Sequence, residues 1–315
     1  MKTTLDIEDI GNIHLSHGSH KSPADGYCLL EAVSMFAKEP FTDQPQCVSP
    51  YLRSFGIGLN DRASDKQRQD LQRFIPLVVG TAGDGMDEQR RWLAADHITR
   101  VLTPKWLDRA NLPELAAKLR EVTPITDRAT WLEAHKAIED VRNVTWPLRQ
   151  NRWQAIRDTA VKAWRENQSA DADAAAVAAA VAAADADAAA VAAADAVAAA
   201  AADADADADA VADADADAAA DAVAVAAAAA AADADAVAVA AADAVAAAAA
   251  AADADARYSD RWYETRRKVY AEVYPKVRAL YEERFGDLVS ESWSDAVGLY
   301  ERLIDPSAAR AGEQL

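Results

Sequence analysis

Three histidines spaced by three residues, His14, His17 and His20, precede two cysteines, Cys28 and Cys47. Imidazole nitrogen and thiolate sulfur are zinc ligands, and a structural zinc ion takes four ligands in a tetrahedron. His14, His17, His20 and Cys28 are therefore one candidate set, as a small zinc-binding module. Their spacing follows none of the established finger patterns, and two of the histidines flank the turn at Gly18. The plain alternative is a polar loop whose histidines cap or hydrogen-bond the helix that follows. Cys28 alone is a second candidate, as a nucleophilic cysteine.

The stretch DGYCLLEA, from Asp25 to Ala32, resembles the opening motif of the ovarian-tumour-type cysteine proteases, roughly D-G-x-C-L-F-R-A. The resemblance spans eight residues and implies a Cys28-dependent hydrolase with a distant histidine as base. That family sets its late histidine beside an aromatic residue, a pattern without counterpart here. The only later histidines are His97 and His135, both inside predicted helices, and the mixed sheet of that family is not predicted. Nucleotide binding has less support. Gly80, Gly83 and Gly85 lack the Lys and Ser/Thr of a phosphate loop, and Gly56 and Gly58 form a lone G-x-G. Trp92, Trp106, Trp131, Trp146, Trp153 and Trp164 fall at helical positions and read as core.

The elements that must position these residues read as helices. Ser22, Pro23 and Asp25 predict a helix start, as N-cap, first-turn proline and capping-box acid, with the helix running to about Lys38. Its core face would be Cys28, Leu29, Ala32, Val33 and Phe36. Upstream, residues 3–15 alternate loosely and predict a short strand or hairpin. Ser49-Pro50 opens a helix expected to end near Gly56 and Gly58, and Ser64 with Gln67 opens another. Further helices are predicted from Asp87 to Leu102, at Thr103-Pro104, from Pro113 to Val122, from Asp127 to Asn143 and from Pro147 to Asn167. Beyond the low-complexity tract, a helix from Tyr258 to Arg284, kinked at Pro275, precedes one from Ser290 to Ile304.

That tract, residues 171–255, contains only Ala, Asp and Val: 57, 18 and 10 of them in 85 positions. Every Asp and Val sits on an odd-numbered residue, a two-residue phase that matches neither a helix nor a half-buried strand. The codons of these three residues differ only in the second base, so a drifting six-base DNA repeat explains the phase. Alanine is the best helix former, while Asp and Val cost up to about 0.7 kcal/mol each. A wholly helical tract would span roughly 130 Å at 1.5 Å per residue. Asp residues two apart fall on opposite sides of a helix, so no apolar face is expected. The expectation is a helical, or partly disordered, spacer over residues 169–256, with self-association through Ala–Ala packing open to it.

Composition sets the remaining bounds. The net charge of −19 falls to −1 over the other 230 residues once the tract's aspartates are set aside. The acidity belongs to the tract, and no basic footprint for nucleic acid is present elsewhere. A short basic cluster, Arg266, Arg267 and Lys268, reads as a solvated helix face or an attractor for the acidic tract. Two cysteines do not make a disulfide framework, so reduced thiols and a cytoplasmic setting are expected. No run of large apolar residues reaches membrane-spanning length.

The blocks HGSHKSPADGYCLLEAV (residues 17–33), FIPLVVGT (74–81) and RRWLAADHITRVLTPKWL (90–107) together resemble a set of uncharacterised proteins from phages and actinobacterial genomes. The resemblance covers about the first 120 residues and implies a helical N-terminal part followed by an Ala-rich tract, with no activity attached. The expected architecture is mainly α. It comprises a helical N-terminal domain (1–168), the spacer (169–256) and a C-terminal helical segment (257–315). The expected function is a non-enzymatic structural or protein-interaction role, phage-related, with an unidentified protein partner, no nucleic acid, no membrane and no cofactor. The Cys28-dependent hydrolase and the zinc module stand as alternatives.

Overall fold

The computed structural model describes residues 5–166, 175–180, 242–246 and 260–307. Among these the chain is mainly helical and forms no strand. The elements are α1 (Leu29–Phe36), α2 (Pro50–Arg62), α3 (Asp65–Asp70), α4 (Asp87–His97), α5 (Thr103–Arg109), α6 (Pro113–Arg120), α7 (Arg128–Glu166) and α8 (Asp260–Ile304). Most of the spacer expected over 169–256 lies outside the described residues.

Side-chain caps set several of these boundaries. Ser49 caps α2 by accepting from the Leu52 N–H, with Pro50 in the first turn, and Ser64 and Gln67 form the reciprocal box that starts α3. Two expectations fail for local reasons. The described part of that stretch, residues 5–15, gives a 3₁₀ turn at Ile10–Asn12 and a single parallel bridge, Leu15 with Tyr27, rather than a strand. The first helix begins at Leu29, not Pro23, because Gly26 has φ +135° and breaks any helix through it. Ser22 and Asp25 instead close a turn: Ser22 Oγ donates to Asp25 at 2.8 Å and Asp25 N–H donates to the Ser22 carbonyl at 3.0 Å.

Other expected breaks are absent. α2 runs through both glycines to Arg62, and Gly56 is where two other elements come closest to it. A Cβ there would lie 2.7 Å from Tyr300 Oη and 2.9 Å from Leu30 Cδ2. α7 continues through Pro147, merging two predicted helices, and α8 continues through Pro275 to Ile304. Between α4 and α5 the helix widens into a π turn over Ile98–Leu102. Pro104 lacks an N–H and its ring crowds the carbonyl four residues back, and a wider turn relieves that conflict.

The core is continuous and draws on both ends of the chain. Leu29, Leu30, Leu52, Phe55, Phe74 and Trp106 are buried with Ala296, Leu299, Tyr300 and Leu303 of α8. The Tyr300 ring stacks on Phe55 at 5.5 Å, meets Phe74 edge-on at 5.1 Å and donates its hydroxyl to the Leu52 carbonyl at 3.1 Å. Arg90, fully buried, donates to the Leu303 carbonyl at 2.9 Å and to Asp84 and Asp87, so a cation caps the carbonyl end of α8. Along the same helix Lys105 pairs with Glu291 and Asp295, and Arg109 with Asp287. Among the described residues no helix is long and apolar enough to cross a membrane.

Candidate functional site

The histidine loop is organised by a residue outside the His/Cys set. Glu31, on the first turn of α1, has a carboxylate only 1% exposed, and three donors converge on it. Its Oε1 accepts from the His20 backbone N–H at 2.5 Å, and its Oε2 accepts from the Cys28 N–H at 2.7 Å. His20 Nδ1 lies 2.8 Å from the same Oε2, which places the ring proton on that nitrogen. A buried carboxylate costs several kcal/mol unless its oxygens are matched by donors, so this convergence is what makes the burial tolerable.

Cys28 is the N-cap of α1, not a residue of its interior face. Its Sγ accepts from the Glu31 N–H at 3.4 Å and completes a capping box with a sulfur in place of the usual oxygen. The thiol remains buried. Burial, reinforced by the adjacent Glu31 charge, pushes its pKa well above the ordinary thiol value, so the neutral form prevails. Cys47 is half-buried, and burial with the hydrogen bond and charge of Glu39 pushes it up to about 11.

The rest of the loop is held by side chains from α2, α3 and the 3₁₀ turn Leu71–Phe74 that follows α3. Gln69 grips Leu15 on both sides, its Oε1 accepting from the Leu15 N–H at 2.9 Å and its Nε2 donating to the Leu15 carbonyl at 2.9 Å. Gln72 donates to the Ile13 carbonyl at 2.8 Å. Asn60 Oδ1 accepts from the Leu29 N–H, its Nδ2 donates to the Ser16 carbonyl, and Asp61 accepts from the Gly18 N–H. Each of these bonds satisfies a main-chain group that has no partner in a helix ladder. Gly26 completes the fit, since a Cβ on it would meet the His20 ring at 2.9 Å.

Of the sequence candidates, the structure brings His20 and Cys28 to one carboxylate and leaves His14 and His17 exposed on the loop's outer side. Among the described residues no group of three or more His, Cys, Asp and Glu side chains is placed to hold a metal ion. His97 is buried at the end of α4, where its Nδ1 accepts from Arg302 at 2.9 Å. Burial, then the charges of Arg302 and Lys105, push it down to about 3. His135 is half-exposed, its ring 5.3 Å from that of Trp131 and its Nδ1 3.8 Å from Glu139. The residues that sequence reading missed, Glu31, Asn60, Asp61, Gln69 and Gln72, are polar side chains on helices. Only Glu31 had a readable signal, its position three residues after the cap.

Comparison with protein-family models, with curated proteins and with solved structures finds no match to this chain.

Proposed function

We propose that the chain is a non-enzymatic interaction or structural protein, related to the phage set it resembles. In this reading the N-terminal module presents the loop of residues 13–28 to a protein partner. The observation that carries it is the way the loop is held. Polar side chains from α1, α2, α3 and the 3₁₀ turn that follows α3 (Leu71–Phe74) fix its backbone at Ile13, Leu15, Ser16, Gly18, His20 and Cys28. The side chains of His14, His17, Ser19 and Lys21 remain exposed on it. A loop fixed in advance loses little entropy on binding, which is the property a recognition surface needs. The groups with chemical potential, His20, Glu31 and Cys28, are engaged in holding it.

The test measures Cys28 alkylation near neutral pH by peptide mapping, zinc content of untagged protein, and co-purification with wild-type and His17→Glu/Lys21→Glu chains. A slow Cys28, no stoichiometric zinc and a partner lost only with the double variant are expected. Fast, selective alkylation of Cys28 would overturn the proposal in favour of the Cys28-dependent hydrolase. About one zinc per chain, lost in both His17→Ala and Cys28→Ala, would overturn it in favour of a module using His14, His17, His20 and Cys28.

A further inference from the structure

The two described pieces of the Ala/Asp/Val tract contradict the expectation that it has no apolar face. Residues 175–180 and 242–246 are helical. Ala176, Val177 and Ala180 are at most 1% exposed, as are Ala242, Val245 and Ala246. Positions i, i+3 and i+4 share one side of a helix. A helix of alanine and valine cannot bury that side alone, because its side chains are too short to cover one another. All but Ala246 belong to one core cluster that also holds Ala160 of α7 and Val269, Val273 and Val277 of α8. The three α8 valines are spaced by four, a stripe at most 1% exposed.

A specific polar contact joins tract and helix. Arg266 Nε lies 2.5 Å from Asp243 Oδ1, in the same turn as Ala242, Val245 and Ala246. Charge is complementary beyond that pair. Residues 257–278 carry seven Lys and Arg against three Asp and Glu, and the tract carries 18 Asp and no Lys or Arg. A cleft on this part of α8 is lined by Tyr263, Glu264, Arg266 and Arg267.

We propose that the N-terminal half of α8 is a docking surface whose ligand is the chain's own Ala/Asp/Val tract, at its helical turn of residues 242–246, seated by small-residue packing and oriented by aspartate–arginine pairing. Small side chains let the two backbones approach closely and supply the dispersion contacts. The odd-residue phase of the tract then has a physical consequence. In the turn of residues 242–246, Val245 and the even-numbered Ala242 and Ala246 form one such face, while Asp243, at another odd position, is left to pair with Arg266. Within the basic cluster, Arg266 pairs with Asp243 of the acidic tract. This proposal stands apart from the role of the histidine loop.

The experiment is hydrogen exchange over residues 266–277 in the full chain, comparing wild type with Val245→Asp, Asp243→Asn and, as control, Ala178→Asp at an exposed tract position. Val245→Asp places a charge in the buried face and is expected to accelerate exchange about tenfold or more. Asp243→Asn removes one half-exposed ion pair, and about two- to fivefold is expected, shrinking further in high salt. Ala178→Asp should match wild type, and about tenfold dilution should change nothing, since docking within one chain is concentration-independent. Unaltered exchange in Val245→Asp would overturn the proposal. So would equal acceleration by Ala178→Asp, which indicates general fraying. Protection lost on dilution would also overturn it, by making the tract of a second copy the occupant.

Discussion

Glu31 shows how much one buried carboxylate can organise. Its partners are two backbone N–H groups and one imidazole, and a hydrogen bond to a charged group is worth roughly 1.5–3 kcal/mol. Glu31→Gln keeps the shape but turns one acceptor into a donor facing donors. It is expected to destabilise the chain by about 2–4 kcal/mol, read by chemical denaturation, because at least one buried N–H loses its acceptor. His97 gives a second prediction, with a definite sign. Its pKa is depressed to about 3 in the folded chain against an ordinary 6.5. Between those values the unfolded chain binds a proton that the folded chain does not. The stability tied to neutral His97 is thus complete above about pH 6.5 and is lost as pH falls towards 3. The expected loss is about 1.4 kcal/mol per pH unit within the window. His97→Gln should flatten the stability profile by that slope between pH 6 and 4, and parallel profiles would show that another group carries it.

At the scale of elements, the sequence was readable wherever a side chain makes its own boundary. Ser49 with Pro50, and Ser64 with Gln67, cap the helices they were expected to cap. The errors turn on backbone geometry and contacts that no sequence pattern marks. Nothing local marks Gly26 as the residue over which the His20 ring closes, so Ser22 and Asp25 read as a cap. Likewise His20 and Cys28 were legible as residues with chemistry, but Asn60 and Gln69 read as ordinary helix surface until the loop lay against them. Gly56 is the clearest case. Alanine in a helix interior is ordinarily better than glycine by about 0.5–1 kcal/mol. Here the new Cβ would press on Tyr300 Oη and Leu30 Cδ2, and Tyr300 is stacked, hydrogen-bonded and fully buried. Gly56→Ala is therefore expected to reverse the usual sign and destabilise by about 1–3 kcal/mol. Gly56→Ala in a Tyr300→Phe background, which removes the hydroxyl, should recover part of that cost.

For the molecule as a whole, the decisive fact is that residues from beyond the tract complete the core of the residues before it. Ala296, Leu299, Tyr300 and Leu303 are buried against helices more than 180 positions earlier in the chain. Burying a large apolar side chain stabilises by about 1.5–3 kcal/mol. The three larger ones together supply roughly 5–9 kcal/mol, comparable with the whole stability of an ordinary domain, about 5–15 kcal/mol. The polar contacts act in the same direction. Arg90 keeps Asp84 and Asp87 without α8, but loses the Leu303 and Ile304 carbonyls, while Lys105 and Arg109 lose their partners on α8. A chain ending at Gly286 is therefore expected to retain helix by far-ultraviolet circular dichroism yet lose its near-ultraviolet signal, bind a hydrophobic dye and unfold without a sharp transition. Restoring residues 287–305 should bring back one cooperative transition in which tryptophan fluorescence and helix content change together. If the shortened chain instead melts sharply, within a few degrees of the full one, the N-terminal helices form a unit of their own and α8 is an addition to it. The tract sits between two parts of one core, so its length can drift only as far as its ends still let α8 return to Phe55 and Arg90.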